Sequence, residues 1–452
     1  MCPIKAIAIL RISHYNYSHS FFGGDYVLSA VMTNQRPNLS GRTILHADMN
    51  NCYASIEMLH HPKLRGHPVA VGGSVEQRHG IILARNYEAR PFGVKVGQAL
   101  WEARKLCPGL IIVPPDYEQY MRFSRLFRNI LADYSPKVES FGIDESWVDV
   151  TGCFKHDGNG EVIANEIRER VKFELGITAS VGVSYNKIFS KLGSDYKKPD
   201  ATTVITKENY KDIVWPLPAS DLLGVGGATK AKLARYGIHT IGGIATCDAD
   251  LLRSWMGKWG IYLHTYANGF DTSPVAETDE GSIIKSVGNS TTCPRDLEND
   301  EDAHIVFQNL AESVAERMRD LGMQARTVEV SLRRKDLSGI TRQRTMKQPT
   351  HISTELCSAA MILLRENHKW ETPLRSIGIR GSNLVPIFKT RQLSMFEDEK
   401  RRDRAEKLEY VIDGIRNRFG HYAIDRALLH LDSKLGKLNA KEDHVIHPVS
   451  FL

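Results

Sequence analysis

At 452 residues the chain exceeds what one hydrophobic core supports, so two to four domains are expected. Hydrophobic residues at 42% and charged residues at 25% exclude a disordered or fibrous protein, while a net charge of +6 decides little about partners. Seven cysteines with no C-x-x-C pair argue against a zinc site or a disulfide framework, and no stretch approaches the ~20 apolar residues of a membrane span, so a cytoplasmic protein with no membrane partner is expected.

Residues 1–42 are an N-terminal extension with no sustained period, ending in the polar run 33–41, which fits a linker or a poorly ordered tail. An expressed extension and a translational start at Met32 stand as equal alternatives. From Thr43 to Asp48 the pattern is a buried strand, and Asn51 to Leu59 has helical spacing, so Asp48 ends a strand. Further strands are predicted at Val69–Val71 and Gly80–Ala84, and a helix over Tyr117–Tyr134 with Tyr120, Phe123, Leu126, Phe127 and Ile130 on one face. The run 138–142 then leads into the densest acidic segment, followed by a helix at Glu161–Leu175 and a strand at Thr178–Ser184.

Beyond Pro216 and Pro218, short helices punctuated by glycine run to about Pro274. A polar linker at 275–283 precedes helices near 301–321 and 353–366 that alternate with strands near 326–334 and 340–346, a compact α+β domain. The tail carries Gln392-Leu393-Ser394-Met395-Phe396 and then a charge-rich helix with Leu408, Val411, Ile412, Ile415 and Phe419 on one face. That stripe either covers the preceding domain or binds another protein.

Transfer of a phosphoryl group from a triphosphate needs positive charge shared among the attacking oxygen, the phosphorus and the leaving group, which two divalent cations about 4 Å apart supply. Hard cations take oxygen ligands, so carboxylates at strand ends are the expected signature. Asp48 and the pair Asp144-Glu145 fit it. Adjacent residues of a regular strand point to opposite faces, so a turn or bulge is needed to aim both acids at one site. A lone Asp-Glu pair is ordinarily a solvated surface charge.

The combination of motifs is more specific. His46-Ala47-Asp48-Met49-Asn50-Asn51-Cys52-Tyr53 resembles the first palm motif of the Y-family translesion DNA polymerases, and Gly142-Ile143-Asp144-Glu145-Ser146-Trp147 resembles their second acidic motif. Between them Ala84-Arg85-Asn86-Tyr87-Glu88-Ala89-Arg90-Pro91 is similar to the fingers motif, and Gly182 to Asp195 with Lys198-Pro199 is similar to the motif after the palm. The resemblance implies that Asp48, Asp144 and Glu145 are catalytic and, with the Met49 carbonyl, hold two Mg²⁺ ions. It implies that Tyr87, Arg90 and Lys191 contact a dNTP and that Tyr53 is a steric gate excluding the 2′-hydroxyl. Cys52 and Asn50 depart from residues that some members carry at those places.

It further implies an α+β multidomain right hand: palm 43–215 with inserted fingers (about 60–120), helix-hairpin-helix thumb 216–275, little finger 276–390 and a tail 391–452. In the thumb, Gly224 and Gly226 would bring backbone N–H groups to DNA phosphates, with Lys230 and Lys232 adding charge. Lys285 to Thr292 resembles the opening of the little finger, whose DNA face would carry Arg333, Arg334, Lys335, Arg342 and Arg344. Gln392, Leu393, Met395 and Phe396 resemble the pentapeptide by which bacterial polymerases bind the sliding clamp. The expected protein is therefore a monomeric, low-fidelity polymerase acting in DNA damage tolerance, with primer-template DNA, dNTP and the clamp as partners. The rival is a catalytically silent relative that serves as a clamp-tethered adaptor.

Overall fold

In the computed structural model of this chain, residues 41–73, 80–153, 155–277, 284–387 and 399–438 are described. The elements begin with β1 (Ile44–Met49), α1 (Cys52–His60), β2 (Val69–Gly72), β3 (Ile82–Arg85), α2 (Leu100–Leu106), β4 (Ile111–Val113) and α3 (Tyr117–Ala132). They continue with β5 (Val138–Ser140), β6 (Glu145–Asp149), α4 (Gly160–Arg170), β7 (Ala179–Ser184), α5 (Lys187–Tyr196), β8 (Thr202–Val204) and α6 (Tyr210–Val214). Then come α7 (Gly227–Arg235), α8 (Ile241–Thr246), α9 (Ala249–Met256), α10 (Lys258–Ala267), β9 (Ser286–Leu297) and α11 (Asp300–Asp320). The last are β10 (Met323–Arg334), β11 (Gly339–Thr350), α12 (Ser353–Asn367), β12 (Leu374–Pro386), α13 (Glu399–Phe419) and α14 (Ser433–Gly436). Two compact units result, one from Met1–Asn50 with Arg122–Asp279, the other from Asn51–Met121 with Glu280–Leu452.

The first unit is built on a five-stranded sheet ordered β5-β6-β1-β7-β8, with β1 antiparallel to both β6 and β7. Ile44, Leu45, His46 and Ala47 are all buried, which is why this strand reads as a continuous run and not as an alternation. Gly182 of β7 permits the close crossing of α5: a Cβ there would lie 1.9 Å from the Ser190 carbonyl oxygen. Asn186 caps α5 by accepting from the Phe189 N–H at 2.8 Å, a bond that replaces one missing at the helix start. The helix predicted at Glu161–Leu175 is present but changes pitch, α4 passing into a π turn at Val171–Leu175 that ends at Gly176. The glycine-punctuated helices α6 to α10 share a core with Leu222, Leu233, Ile241, Leu252 and Leu263.

In the second unit, β2 pairs antiparallel with β3 and parallel with β4. A separate antiparallel sheet, β11-β10-β12-β9, buries Val328, Val330, Ile377 and Ile379 with Phe307, Leu310, Leu356 and Leu364 of α11 and α12. Helix α11 starts at Asn299, whose side chain accepts from Asp302 N–H at 2.8 Å, and three acids in its first turn complement the helix dipole.

Helix α13 docks on this domain by its charged side. Arg319 grips Asp413 through two bonds of 2.6 and 2.8 Å, Arg416 pairs with Glu312 at 2.8 Å, and Arg402 pairs with Glu355 at 2.8 Å. Of the apolar stripe, Leu408, Val411 and Phe419 are 51%, 57% and 66% exposed, while Ile412 and Ile415 are half-buried. Among the described residues no helix is long and apolar enough to cross a membrane.

Candidate active site

Strand pairing sets the predicted acids side by side. Asp48 and Glu145 are register partners on β1 and β6, and the Met49 N–H donates to the Asp144 carbonyl at 2.9 Å. The chain bends over Phe141–Asp144, with Gly142 at φ 152°, so Asp144 stands outside the strand that Glu145 opens. That bend is the device that adjacent acids on one strand required.

Each outer acid is held by a lysine. Lys198 donates from Nζ to Asp48 Oδ2 at 2.8 Å and to Asp195 Oδ1 at 2.8 Å, and Lys191 Nζ meets Glu145 Oε2 at 2.5 Å. Burial pushes the Asp144 carboxyl up to about 6, with the Asp48 charge adding to it. Burial likewise pushes Glu145 up to about 7 against the pull of Lys191, and raises Asp48 against the pull of Lys198.

Beneath this cluster lies His46, fully buried. Ser194 Oγ donates to the Lys191 carbonyl at 2.8 Å and lies 2.8 Å from His46 Nδ1. His46 Nε2 then faces Glu145 Oε2 at 3.4 Å. Burial, and then the charges of Lys191, Lys198 and Lys187, keep this imidazole neutral.

Among the described residues no three His, Cys, Asp or Glu side chains are preassembled as a metal-ligand set. Asp48 and Glu145 are engaged by Lys198 and Lys191. The chemistry of the donors nonetheless fits a hard divalent ion: all are oxygens, and their mutual repulsion is what such an ion relieves. Met49 closes β1 with its side chain buried. Asn50 is a buried bracket, with Nδ2 donating to Ser180 Oγ at 2.9 Å and Oδ1 accepting from the Asp200 N–H at 2.9 Å.

The predicted nucleotide contacts Tyr53, Tyr87 and Arg90 belong to the second unit. Tyr53 stacks on Tyr120 with ring centroids 4.1 Å apart and 7° between planes, and Tyr120 donates to Glu57 Oε1 at 2.5 Å. Arg90 lies over the Tyr87 ring at 4.1 Å and donates to Asn51 Oδ1 at 2.8 Å, with its guanidinium on an exposed side chain.

Known proteins resolve what this arrangement belongs to. The sequence model of the impB/mucB/samB family matches residues 47–195, and that of the family's C-terminal domain matches residues 284–395. The chain is 47% identical to the DNA polymerase IV of Acetivibrio thermocellus over 397 residues, 88% of this chain and the whole of that protein. It is 37% identical to DNA polymerase IV 1 of Bacillus subtilis over 84% of this chain and 91% of that one. A solved Y-family DNA polymerase chimera, Dbh-Dpo4(243-245)-Dbh, has the same fold with a TM-score of 0.67 at 24% identity, covering 76% of this chain and 99% of its own. The chain belongs to the impB/mucB/samB family of Y-family DNA polymerases. It is a DNA-directed DNA polymerase with the expected mixed α+β multidomain architecture.

In this Y-family polymerase the glycine-rich segment makes a helix start that is open to solvent. Gly226 caps α7 and is exposed, as are Lys230 and Lys232, and Lys232 Nζ donates to the Trp255 carbonyl. Gly224, at φ 89°, lies under Trp259, whose ring a Cβ would approach to 2.3 Å.

On the four-stranded sheet the register separates the predicted basic residues. Arg342 and Arg344 pair with buried Val330 and Val328, so they share the helix-covered face; there Arg342 donates to Asn367 Oδ1 at 3.1 Å and Arg344 meets Glu366 at 3.8 Å. Arg333 is on the open face, where the alternation also sets Ser286, Gly288, Ser290 and Thr292 of β9. Strand parity thus sets Arg333 apart from Arg342 and Arg344.

Three further residues belong to these surfaces: His46 and Lys198 at the acids, and Arg380 on the open face, 3.5 Å from Glu329. Lys198 had a signal in its motif; Arg380 lacked one because β12 was not predicted. The pentapeptide Gln392–Phe396 lies outside the described residues.

Proposed function

We propose that this polymerase performs low-fidelity translesion synthesis, adding deoxynucleotides to a primer 3′ end across damaged template, with two Mg²⁺ held by Asp48, Asp144, Glu145 and the Met49 carbonyl. The observation that carries the proposal is the convergence of these three acids at the β1–β6 pairing, where burial and mutual repulsion raise them above their ordinary range. Bound there, the two ions would supply the Lewis acidity and charge neutralisation of phosphoryl transfer.

The chain's own residues then have distinct tasks. Asp48, Asp144 and Glu145 would hold the ions, the outer two of them being those that Lys198 and Lys191 also reach. Lys191, once released from Glu145, presents its ammonium to the triphosphate. Arg90 offers a planar fork to phosphate oxygens while Asn51 and the Tyr87 ring steady its guanidinium. Tyr53, braced face to face by Tyr120, would block a 2′-hydroxyl.

DNA is gripped by the open helix start at Gly226 with Lys230 and Lys232, and by the open sheet face with Arg333 and Arg380. These are phosphate contacts and should weaken steeply with salt. Residues 392–396 are proposed to tether the enzyme to the sliding clamp through Leu393, Met395 and Phe396. Primer extension on undamaged and damaged templates with Mg²⁺ tests the proposal. Extension past a lesion is the expected result, and DNA binding without any extension would support the adaptor reading instead.

A further inference from the structure

The second half of α3 and the sheet-edge strand β5 border a half-open surface pocket of about 410 Å³ that shares no residue with the acid cluster. Arg122, Arg125 and Arg128 line it together with Asn129, Val138 and Ser140. Spaced three apart, the arginines occupy one face of the helix.

Arg122 and Arg125 are exposed and Arg128 is half-buried. Among the described residues none of the three is in an ion pair, whereas Arg168 and Arg170 of the same unit meet Asp200 at 2.8 Å and Asp133 at 2.9 Å. Arg128 is half-buried, and its one described hydrogen bond goes from Nη1 to Ser140 Oγ at 3.2 Å, although a guanidinium has five N–H donors. Burial, and then the charge of Arg125, make its protonated state less favourable than usual. A half-buried guanidinium beside a second one, with no carboxylate in ion-pair contact among the described residues, is an arrangement that an incoming anion relieves.

The anion can be specified further. Planar guanidinium forks match the oxygens of phosphate bidentately. The cavity lies within the range of about 300–1,000 Å³ typical of small-molecule sites, so it holds more than a lone phosphate. Leu126, Ala132 and Val138 add an apolar wall, and Asn129 an amide. We propose that this pocket is a second phosphate site that takes a nucleotide, with its phosphates on the three arginines and its sugar and base against the apolar wall. The nucleotide is either a free nucleoside polyphosphate or one unit of a nucleic-acid strand.

The test uses the full chain in EDTA at low salt, where the metal-free acids disfavour a triphosphate at the proposed catalytic centre. Binding of dATP and of pyrophosphate is measured by calorimetry for the wild type, for Arg122→Ala/Arg125→Ala and for Arg90→Ala. Saturable dATP binding that weakens about tenfold for each pocket guanidinium removed, and is unchanged in R90A, is expected. Since neither Arg122 nor Arg125 has a described partner to lose, the double variant should melt as the wild type does, and the comparison is made on protein shown to do so. Competition with oligo-dT then separates the sources: displacement of dATP assigns the pocket to a strand, and no displacement assigns it to free nucleotide. Absence of binding by the wild type, equal binding by the double variant, or loss of binding in R90A overturns the proposal.

Discussion

If Asp144 and Glu145 ionise near 6 and near 7, a divalent ion that binds them must displace protons, and the number displaced depends on pH. At pH 6 Asp144 would be about half protonated and Glu145 about nine-tenths, so Mg²⁺ binding should release between one and two protons; at pH 8.5 it should release almost none. Calorimetric titration with MgCl₂ at each pH, in two buffers of different ionisation enthalpy, counts them directly.

The same shifts fix the sign of a stability effect. Between about pH 4 and pH 7 the native chain keeps protons that the unfolded chain has lost, so the metal-free fold loses stability as pH rises through that window. For Asp144 alone, ionising near 6 in place of 3.8, the cost at pH 8 is about 3 kcal/mol. Asp144→Asn should therefore stabilise the metal-free protein at pH 8 by up to about that amount and flatten the dependence of melting temperature on pH. Buffer-independent heats at pH 6, or an unaltered pH slope in the Asn variant, would refute this account of the acids.

On the proposed role of Asp144 in organising metal and not DNA, Asp144→Ala should abolish primer extension while leaving primer-template affinity within about tenfold, as measured by fluorescence anisotropy. Tyr53→Ala should raise ribonucleotide incorporation in single-nucleotide extension; unchanged sugar discrimination would remove the gate from this ring. Replacing Leu393 and Phe396 by Ala should eliminate stimulation by the clamp and spare basal synthesis, so persistent stimulation would rule out the pentapeptide. Gly182→Ala should destabilise the fold by more than about 4 kcal/mol in denaturant titration, because its new methyl would meet the Ser190 carbonyl.

What the sequence revealed and what it hid follow physical lines. The strand that carries Asp48 and the helix after it were legible to within a residue or two, since a continuous apolar run gives way to helical spacing at Asn51. Strands β9 and β12 of the four-stranded sheet were not. In β12 the open-face positions are Ser376, Gly378, Arg380 and Ser382, and glycine there blurs the alternation by which a half-buried strand is recognised. Strands β4 and β8 each have three residues and pair in parallel, too short to show any period.

At the candidate active site the identities of the acids were legible from their motifs, but the lysine partners of Asp48 and Glu145 were set by folding. Lys198 reaches Asp48 across 150 positions of chain. The orientation of α13 was equally hidden. Its amphipathic pattern was visible, yet the choice of docking face belongs to Arg319 and Glu312, which are distant in sequence.

The way α13 is anchored has a consequence for the path of the chain. Strand β12 ends at Pro386, and α13 returns to the same unit from Glu399 onward. The fastening is made by charge, Arg319 of α11 to Asp413 and Arg416 of α13 to Glu312, so high salt or low pH should loosen α13 before it loosens the apolar core beneath the sheet.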